Sequence, residues 1–392
     1  MTKRILLIND CPRRAGGPGL AASKVAFFND LDDPKCQTDL LDTSFFMAHH
    51  AEDYQAHEYF AMPSSLWIKY LLKVPHINRV VIEKVVCREF KRLMSKKEYD
   101  LVFLYQIPFY SSKIVDIAHK FKTRVLLQPW GSDVLRAEGR DKENVRKTYH
   151  SADFLGGNLE NNIFVRARDE FGVPESKMID LKAAMKGVAV ADEFKGKYSR
   201  GEMSEMLGIP YSPYNIICGY NTYSGQRHKL IISECLSIKE SLPEGYQLVF
   251  PVTYGGNGKE YVEELKQLCS EGHLNAVFLE KFMTPEQIAY LHLVTDLYIN
   301  IQPTDTGNAF LIEAISCGNQ IVTGSWLGYE QFKQFGNPFY LCDKPEDLGQ
   351  MLKKIFTKAV DPIYPPDALV KSWVDNSKIP SSVRWQKFLK TI

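Results

Sequence analysis

Short, almost uninterrupted apolar runs constrain this chain more than any other feature. Ile5-Leu6-Leu7-Ile8, Leu101-Val102-Phe103-Leu104, Val125-Leu126-Leu127, Ile216-Ile217-Cys218, Leu248-Val249-Phe250, Ala276-Val277-Phe278-Leu279, Leu297-Tyr298-Ile299 and Gln320-Ile321-Val322 are separated by amphipathic helical patterns. A strand with one solvated face alternates apolar and polar residues. A strand that is apolar at successive positions is covered on both faces, which is the arrangement of a parallel sheet between two layers of helices. The series restarts near Ile216, after the polar, glycine-containing stretch 195–201, a helix and the turn 208–213. With 392 residues the chain is also too long for one ordinary core. The reading is α/β, with two parallel-sheet domains facing each other across a cleft and a junction within residues 187–200.

The composition excludes several classes. At 45% hydrophobic and 24% charged residues the chain is globular, and a net charge of +1 gives no reason to expect a nucleic-acid partner. Eight scattered cysteines without a C-x-x-C pair predict reduced thiols in a cytoplasmic protein. The first apolar run has four residues, too few for a signal peptide, and no stretch approaches the roughly 18 a membrane-spanning helix needs.

Four stretches carry chemistry. In Asp305-Thr306-Gly307-Asn308-Ala309 a polar loop follows the strand ending at Asn300 and opens a helix that stops at Gly318. The first turn of a helix offers free N–H groups and a partial positive charge to a phosphate, and Gly307 lets the backbone come close. Glu313, more than one turn further in, is placed to accept ribose hydroxyls; the alternative is a satisfied helical glutamate. The second stretch, Gly16-Gly17-Pro18-Gly19, lies between the first strand and a helix over 21–28. With Ala22, and Asp42 at the end of the next strand, it fits a dinucleotide fingerprint formally. Seven residues separate it from Ile8, however, so a glycine loop over the cleft is the better reading. The third, Trp130-Gly131-Ser132-Asp133, directly follows Leu127 and puts an indole and a carboxylate at a strand end, where ligands bind; Asp133 as a cap for the following helix is the alternative. The fourth, after Cys218, holds Arg227 and Lys229, which can clamp a diphosphate. Asp30-Leu31-Asp32-Asp33 follows a helix rather than a strand end and reads as a solvated turn. His49, His50 and His57 lack a third ligand in a recognisable spacing, so no metal and no cofactor is expected.

Together these stretches resemble the GT-B glycosyltransferases, in particular retaining family 4. Asp305 and Glu313 have the spacing of that family's E-x7-E pair, and Ala314-Ile315-Ser316-Cys317-Gly318 continues its pattern. Gly16-Gly17 is similar to its N-terminal double glycine, Lys186-Gly187-Val188 to its interdomain turn, and residues 381–388 to its last helix. The resemblance implies domains over 1–190 and 191–375 and a helix over 376–392 that returns to the first. It implies a nucleotide-diphosphate sugar held by Gly16, Gly17, Arg227, Lys229, Thr306, Gly307, Asn308, Ala309 and Glu313. Phe282 would face the base, Trp130 and Asn158 the acceptor, and Asp133 and Asp305 would act in catalysis without metal. Three departures stand out: Asp305 in place of glutamate, Trp130 where many members have histidine, and a loose match at Arg227 and Lys229. The Trp-Gly-x-Asp segment and residues 251–255 also resemble a bacterial family that transfers 4-acetamidofucose to a lipid-linked acceptor and is thought to invert.

Residues 64–97 carry nine Lys or Arg against two Glu, with Ile82, Val85, Val86, Phe90, Leu93 and Met94 at helical spacing. Such a helix can lie on an anionic membrane, which points to a peripheral protein acting on a glycan or lipid-linked acceptor. A helix packed by its apolar stripe, with a solvated basic face, is the plainer reading. Beside transfer stand an inactive accessory subunit, a nucleotide-sugar epimerase and, last because of the glycine spacing, a nicotinamide dehydrogenase.

Overall fold

The computed structural model describes residues 2–9, 19–43, 54–63, 65–74 and 77–392. The chain divides into two units, Met1–Ala183 with Pro380–Ile392, and Ala184–Ile379. The division falls at 183/184 because helix Lys186–Phe194 packs with the second unit, burying Val188 in its core.

In the first unit the strands are β1 (Lys3–Asn9), β2 (Cys36–Asp42), β3 (Glu58–Ala61), β4 (Leu101–Tyr105), β5 (Arg124–Leu127), β6 (Phe154–Gly157) and β7 (Met178–Asp180). They form one parallel sheet in the order β3-β2-β1-β4-β5-β6-β7. The continuous apolar runs are explained by the pleat, which sends successive side chains to opposite faces. Leu6, Ile8, Val102 and Leu104 pack with Val86, Phe90 and Leu93 of helix Ile77–Met94 and with Ile114 and Val115 of helix Ser111–Lys120. Ile5, Leu7, Leu101 and Phe103 pack on the other face with Val25 and Phe28 of helix Gly19–Asn29. Trp385, Phe388 and Leu389 of helix Ser381–Leu389 complete that second cluster.

The second unit holds β8 (Tyr214–Cys218), β9 (Tyr246–Pro251), β10 (Ala276–Leu279), β11 (Leu297–Asn300), β12 (Gln320–Gly324) and β13 (Tyr340–Cys342), all parallel, in the order β10-β9-β8-β11-β12-β13. Ile217, Tyr298 and Ile321 face one helical layer; Ile216, Cys218, Leu297, Ile299 and Val322 face the other. In each sheet the strand order reverses once, between β1 and β4 and between β8 and β11. Connections on the two sides of such a point leave toward opposite faces, and the loops there part to form a crevice at the carboxyl edge. Among the described residues no helix is long and apolar enough to cross a membrane.

Candidate functional site

The crevice of the second sheet is bounded by the loops after β8 and β11. The β11 loop turns through Gly307, whose φ of +81° suits glycine and whose position leaves no room for a Cβ beside the Gln331 amide. Asn308 then caps helix Ala309–Cys317, accepting from Leu311 N at 2.9 Å. The N–H groups of Ala309 and Phe310 keep no acceptor among the described residues, and Ala309 is exposed. The helix therefore starts where the sequence predicts, with N–H groups of the kind that can meet an anion.

Asp305 sits beneath that loop rather than in the open crevice. It is 9% exposed, and its carboxylate accepts from Thr306 N (2.8 Å), Asn308 Nδ2 (2.8 Å), Tyr329 Oη (2.7 Å) and Asn300 Nδ2 (3.2 Å). Burial pushes its pKa up while these donors pull it back. The network continues: Gln302 donates to Asn300 Oδ1 at 2.9 Å, and Gln226 donates to Gln302 Oε1 at 3.0 Å. A buried chain of side-chain amides thus ties the β8 loop to the β11 loop across the switch point. In this arrangement the Asp305 carboxylate shapes the loop that opens the helix.

The two expected cations part company. Arg227 stands at φ +59° just before helix His228–Ser237, with its guanidinium 5.6 Å from the Trp326 ring and a buried Nη1 that has no hydrogen-bond partner among the described residues. Burial lowers its pKa, so an anion there would be favoured. Lys229 forms an ion pair with Glu264 and lies over Tyr261. His228 between them is fully buried and pushed down to about 4, so it stays neutral.

Glu313 is 9% exposed and lies against the first turn of helix Lys186–Phe194. A Cβ at Gly187 would overlap its carboxylate, so glycine is needed there for close approach. Glu313 Oε2 is 3.6 Å from Nε2 of His292, a fully buried imidazole whose ring nitrogens have no hydrogen-bond partner among the described residues. Tyr220 stacks on Phe310 at the same helix start (centroids 5.8 Å, 21°). Phe282, in the loop after β10, is 80% exposed.

In the first unit, Gly16 and Gly17 lie outside the described residues. Trp130 follows β5 and packs edge-on against Tyr105, the last residue of β4, at 4.9 Å. Asp133 does not cap the residues after it. Its Oδ1 accepts from Trp130 N (3.0 Å) and Gly131 N (2.9 Å), and its Oδ2 accepts from Ile107 N (2.9 Å). The carboxylate therefore staples the β5 loop to the β4 loop, with its pKa pushed up by burial. Asn158 is two strands from β4, after β6, where its side chain accepts from Glu160 N at 3.3 Å. His57, Asp39 and Glu58 converge within ligand distance of one another, but Lys97 already binds both carboxylates, at 3.1 Å to Asp39.

Sequence reasoning missed three participants. Tyr329 and Gln302 belong to the Asp305 network through separations that no motif encodes. Lys24 sits among the rings of Phe27, Phe103, Tyr105 and Trp385, 4.8–5.8 Å from each centroid, with no carboxylate partner among the described residues. Its only signal was a lone cation in the apolar helix segment Ala21-Ala22-Ser23-Lys24-Val25-Ala26-Phe27-Phe28.

No family model matches the chain, and no curated protein matches it in sequence. Solved structures match along its whole length. A glycosyltransferase from Rickettsia africae ESF-5 superposes with TM-score 0.65 at 12% identity, over 100% of this chain and 97% of that one. Anabaena Alr3699/HepE in complex with UDP gives 0.60 at 14%, over 99% of both chains. The lipopolysaccharide outer core galactosyltransferase WaaB gives 0.62 at 14%, also over 99% of both. The fold is GT-B. At these identities the likeness speaks for the GT-B architecture, and the chemistry has to be argued from the residues.

Proposed function

We propose that this GT-B chain is a glycosyltransferase that moves a sugar from a nucleotide-diphosphate sugar to a lipid-linked or cell-surface polysaccharide acceptor, without metal and with retention. The observation that carries the reading is the start of helix Ala309–Cys317. Two N–H groups without acceptors stand at the switch point, and Arg227, with an unpartnered Nη1, follows the neighbouring strand. Helix start and guanidinium stabilise the charge of a leaving diphosphate, and Glu313 holds the ribose. Retention follows from the family resemblance. The structures of Anabaena HepE with UDP and with UDP-glucose make uridine the first base to try.

A thermal-shift panel of UDP, GDP, dTDP and their sugars tests the donor side. One nucleotide should raise the melting temperature, and Arg227→Met should abolish the rise. A chain that no nucleotide stabilises ends the reading. A second reading, a GT-B accessory subunit without transfer of its own, is favoured by the internal engagement of Asp133 and Asp305. It predicts nucleotide binding with no hydrolysis of any nucleotide sugar. An epimerase would interconvert a nucleotide sugar with no acceptor present.

A further inference from the structure

Glu313 and His292 pose one question from two sides. Glu313 is 9% exposed, and its carboxylate accepts no hydrogen bond among the described residues. His292 is 0% exposed, and neither ring nitrogen has a hydrogen-bond partner among the described residues. Each group alone carries the cost of a polar group taken out of water. The two face each other: Nε2 stands 3.6 Å from Oε2, so a movement of about half an ångström brings them to hydrogen-bond distance.

Neither side chain has much freedom to turn elsewhere. His292 is in the last turn of helix Pro285–Leu293, where Asn319 Nδ2 donates to its carbonyl at 2.9 Å. Its ring lies on Phe310, centroids 4.3 Å apart, and Phe310 belongs to the first turn of helix Ala309–Cys317. Glu313 Oε1 lies against Gly187, where a Cβ would come within 2.1 Å of it, while Oε2 faces the imidazole. An N–H given to Oε2 would fix the plane of the carboxylate. A carboxylate has about four acceptor positions, so one such bond leaves room for the two hydroxyls of a ribose. A neutral imidazole suffices, with the hydrogen on Nε2 and the lone pair on Nδ1.

We propose that His292 is a positioning residue for the donor, whose Nε2–H holds Glu313 in the orientation that accepts the ribose hydroxyls. The proposal rests on the transferase reading with Glu313 at the ribose, and it adds the group that makes this glutamate selective for ribose. If His292 only filled the space between two helices, leucine would serve as well.

One arm of the test uses the full chain without nucleotide. Long-range ¹H–¹⁵N spectra should show a proton on Nε2 of His292, its signals assigned by their loss in His292→Gln. A bare Nε2 overturns the proposal. The other arm is titration calorimetry with UDP and with 2′,3′-dideoxy-UDP, which lacks both hydroxyls. Wild type should bind UDP more tightly. His292→Leu should weaken UDP about tenfold and change the dideoxy nucleotide by less than about twofold, so that the preference for ribose shrinks. His292→Gln keeps an N–H donor on a side chain of similar reach and should recover most of the loss. The melting temperature of His292→Leu should not fall, because leucine removes two buried polar atoms that have no partner. Equal weakening of both nucleotides, or a preference for ribose that His292→Leu retains, overturns the proposal. A chain that binds neither nucleotide while Nε2 carries its proton ends the donor reading and leaves the hydrogen bond standing.

Discussion

Lys24 shows what a single residue can contribute. Its ammonium is held by ring faces rather than a carboxylate, and burial pushes it down to about 8. Between that value and the ordinary lysine range the unfolded chain binds the proton that the folded chain has lost. Lys24 therefore makes stability rise with pH from about 8 to about 10.5, and its burial costs stability below that window. Lys24→Met should remove this rise. The difference between variant and wild type, from denaturant melts at several pH values, should favour the variant most near neutral pH and shrink in alkali. A difference independent of pH would show that the amine is not desolvated. Asp133 makes a second prediction at this scale. Asp133→Asn turns one acceptor oxygen into an amide that cannot accept from the loop N–H groups, so stability should fall by about 1–3 kcal/mol. Turnover per folded molecule should stay near wild type; an intact melting temperature with a rate loss on the order of 10²–10⁴ would instead make Asp133 the general base. The sequence pointed to Asp133 because it follows a strand, but strand-end position alone does not tell a carboxylate facing substrate from one that binds two loops.

At the scale of elements, helix Ala309–Cys317 was the most legible part of the chain. Asn308 as its cap, Gly318 as its stop at φ +79° and the apolar face between them are local features that sequence records directly. Asn308→Ala should cost about 1 kcal/mol for the lost cap, and more in practice because Asn308 also donates to Asp305. Glu313→Ala should weaken nucleotide binding by roughly 1.5–3 kcal/mol, the range for a hydrogen bond to a charged group, read by titration calorimetry. Unchanged affinity in the folded variant would take Glu313 out of the site. Strands β3, β6, β7 and β13 escaped the sequence reading for the opposite reason. They are three or four residues long, β6 contains two glycines, and β3 and β7 lie at the sheet's edges, so little apolar pattern is needed to hold them. For Lys229 the sequence could not foresee the ion pair with Glu264, because a cation beside a strand end looks alike whether it meets a ligand or a glutamate one helix away.

Over the whole molecule, the apolar runs made two covered sheets legible, while the division between units depended on packing that no single stretch reveals. The second unit is one continuous segment with its own sheet and two core clusters. Residues 184–379 expressed alone should fold and bind the donor nucleotide, as circular dichroism and calorimetry would show. The first unit is not continuous, because Trp385, Phe388 and Leu389 from the far end of the chain fill its core. Trp385→Ala should cost about 3–5 kcal/mol, and residues 1–183 alone should fail to fold. A stable, cooperatively melting 1–183 fragment would contradict this.

The amide chain from Gln226 through Gln302 and Asn300 to Asp305 and Asn308 has a consequence for how such a site can change over generations. Each amide donates to the oxygen of a neighbouring member and Asp305 accepts at the end, so a lone substitution leaves a buried group without its partner, whereas a matched pair of substitutions restores the count. The two loops that shape the switch point of the second sheet are in effect inherited as one block. Drift should cross this region in coupled steps.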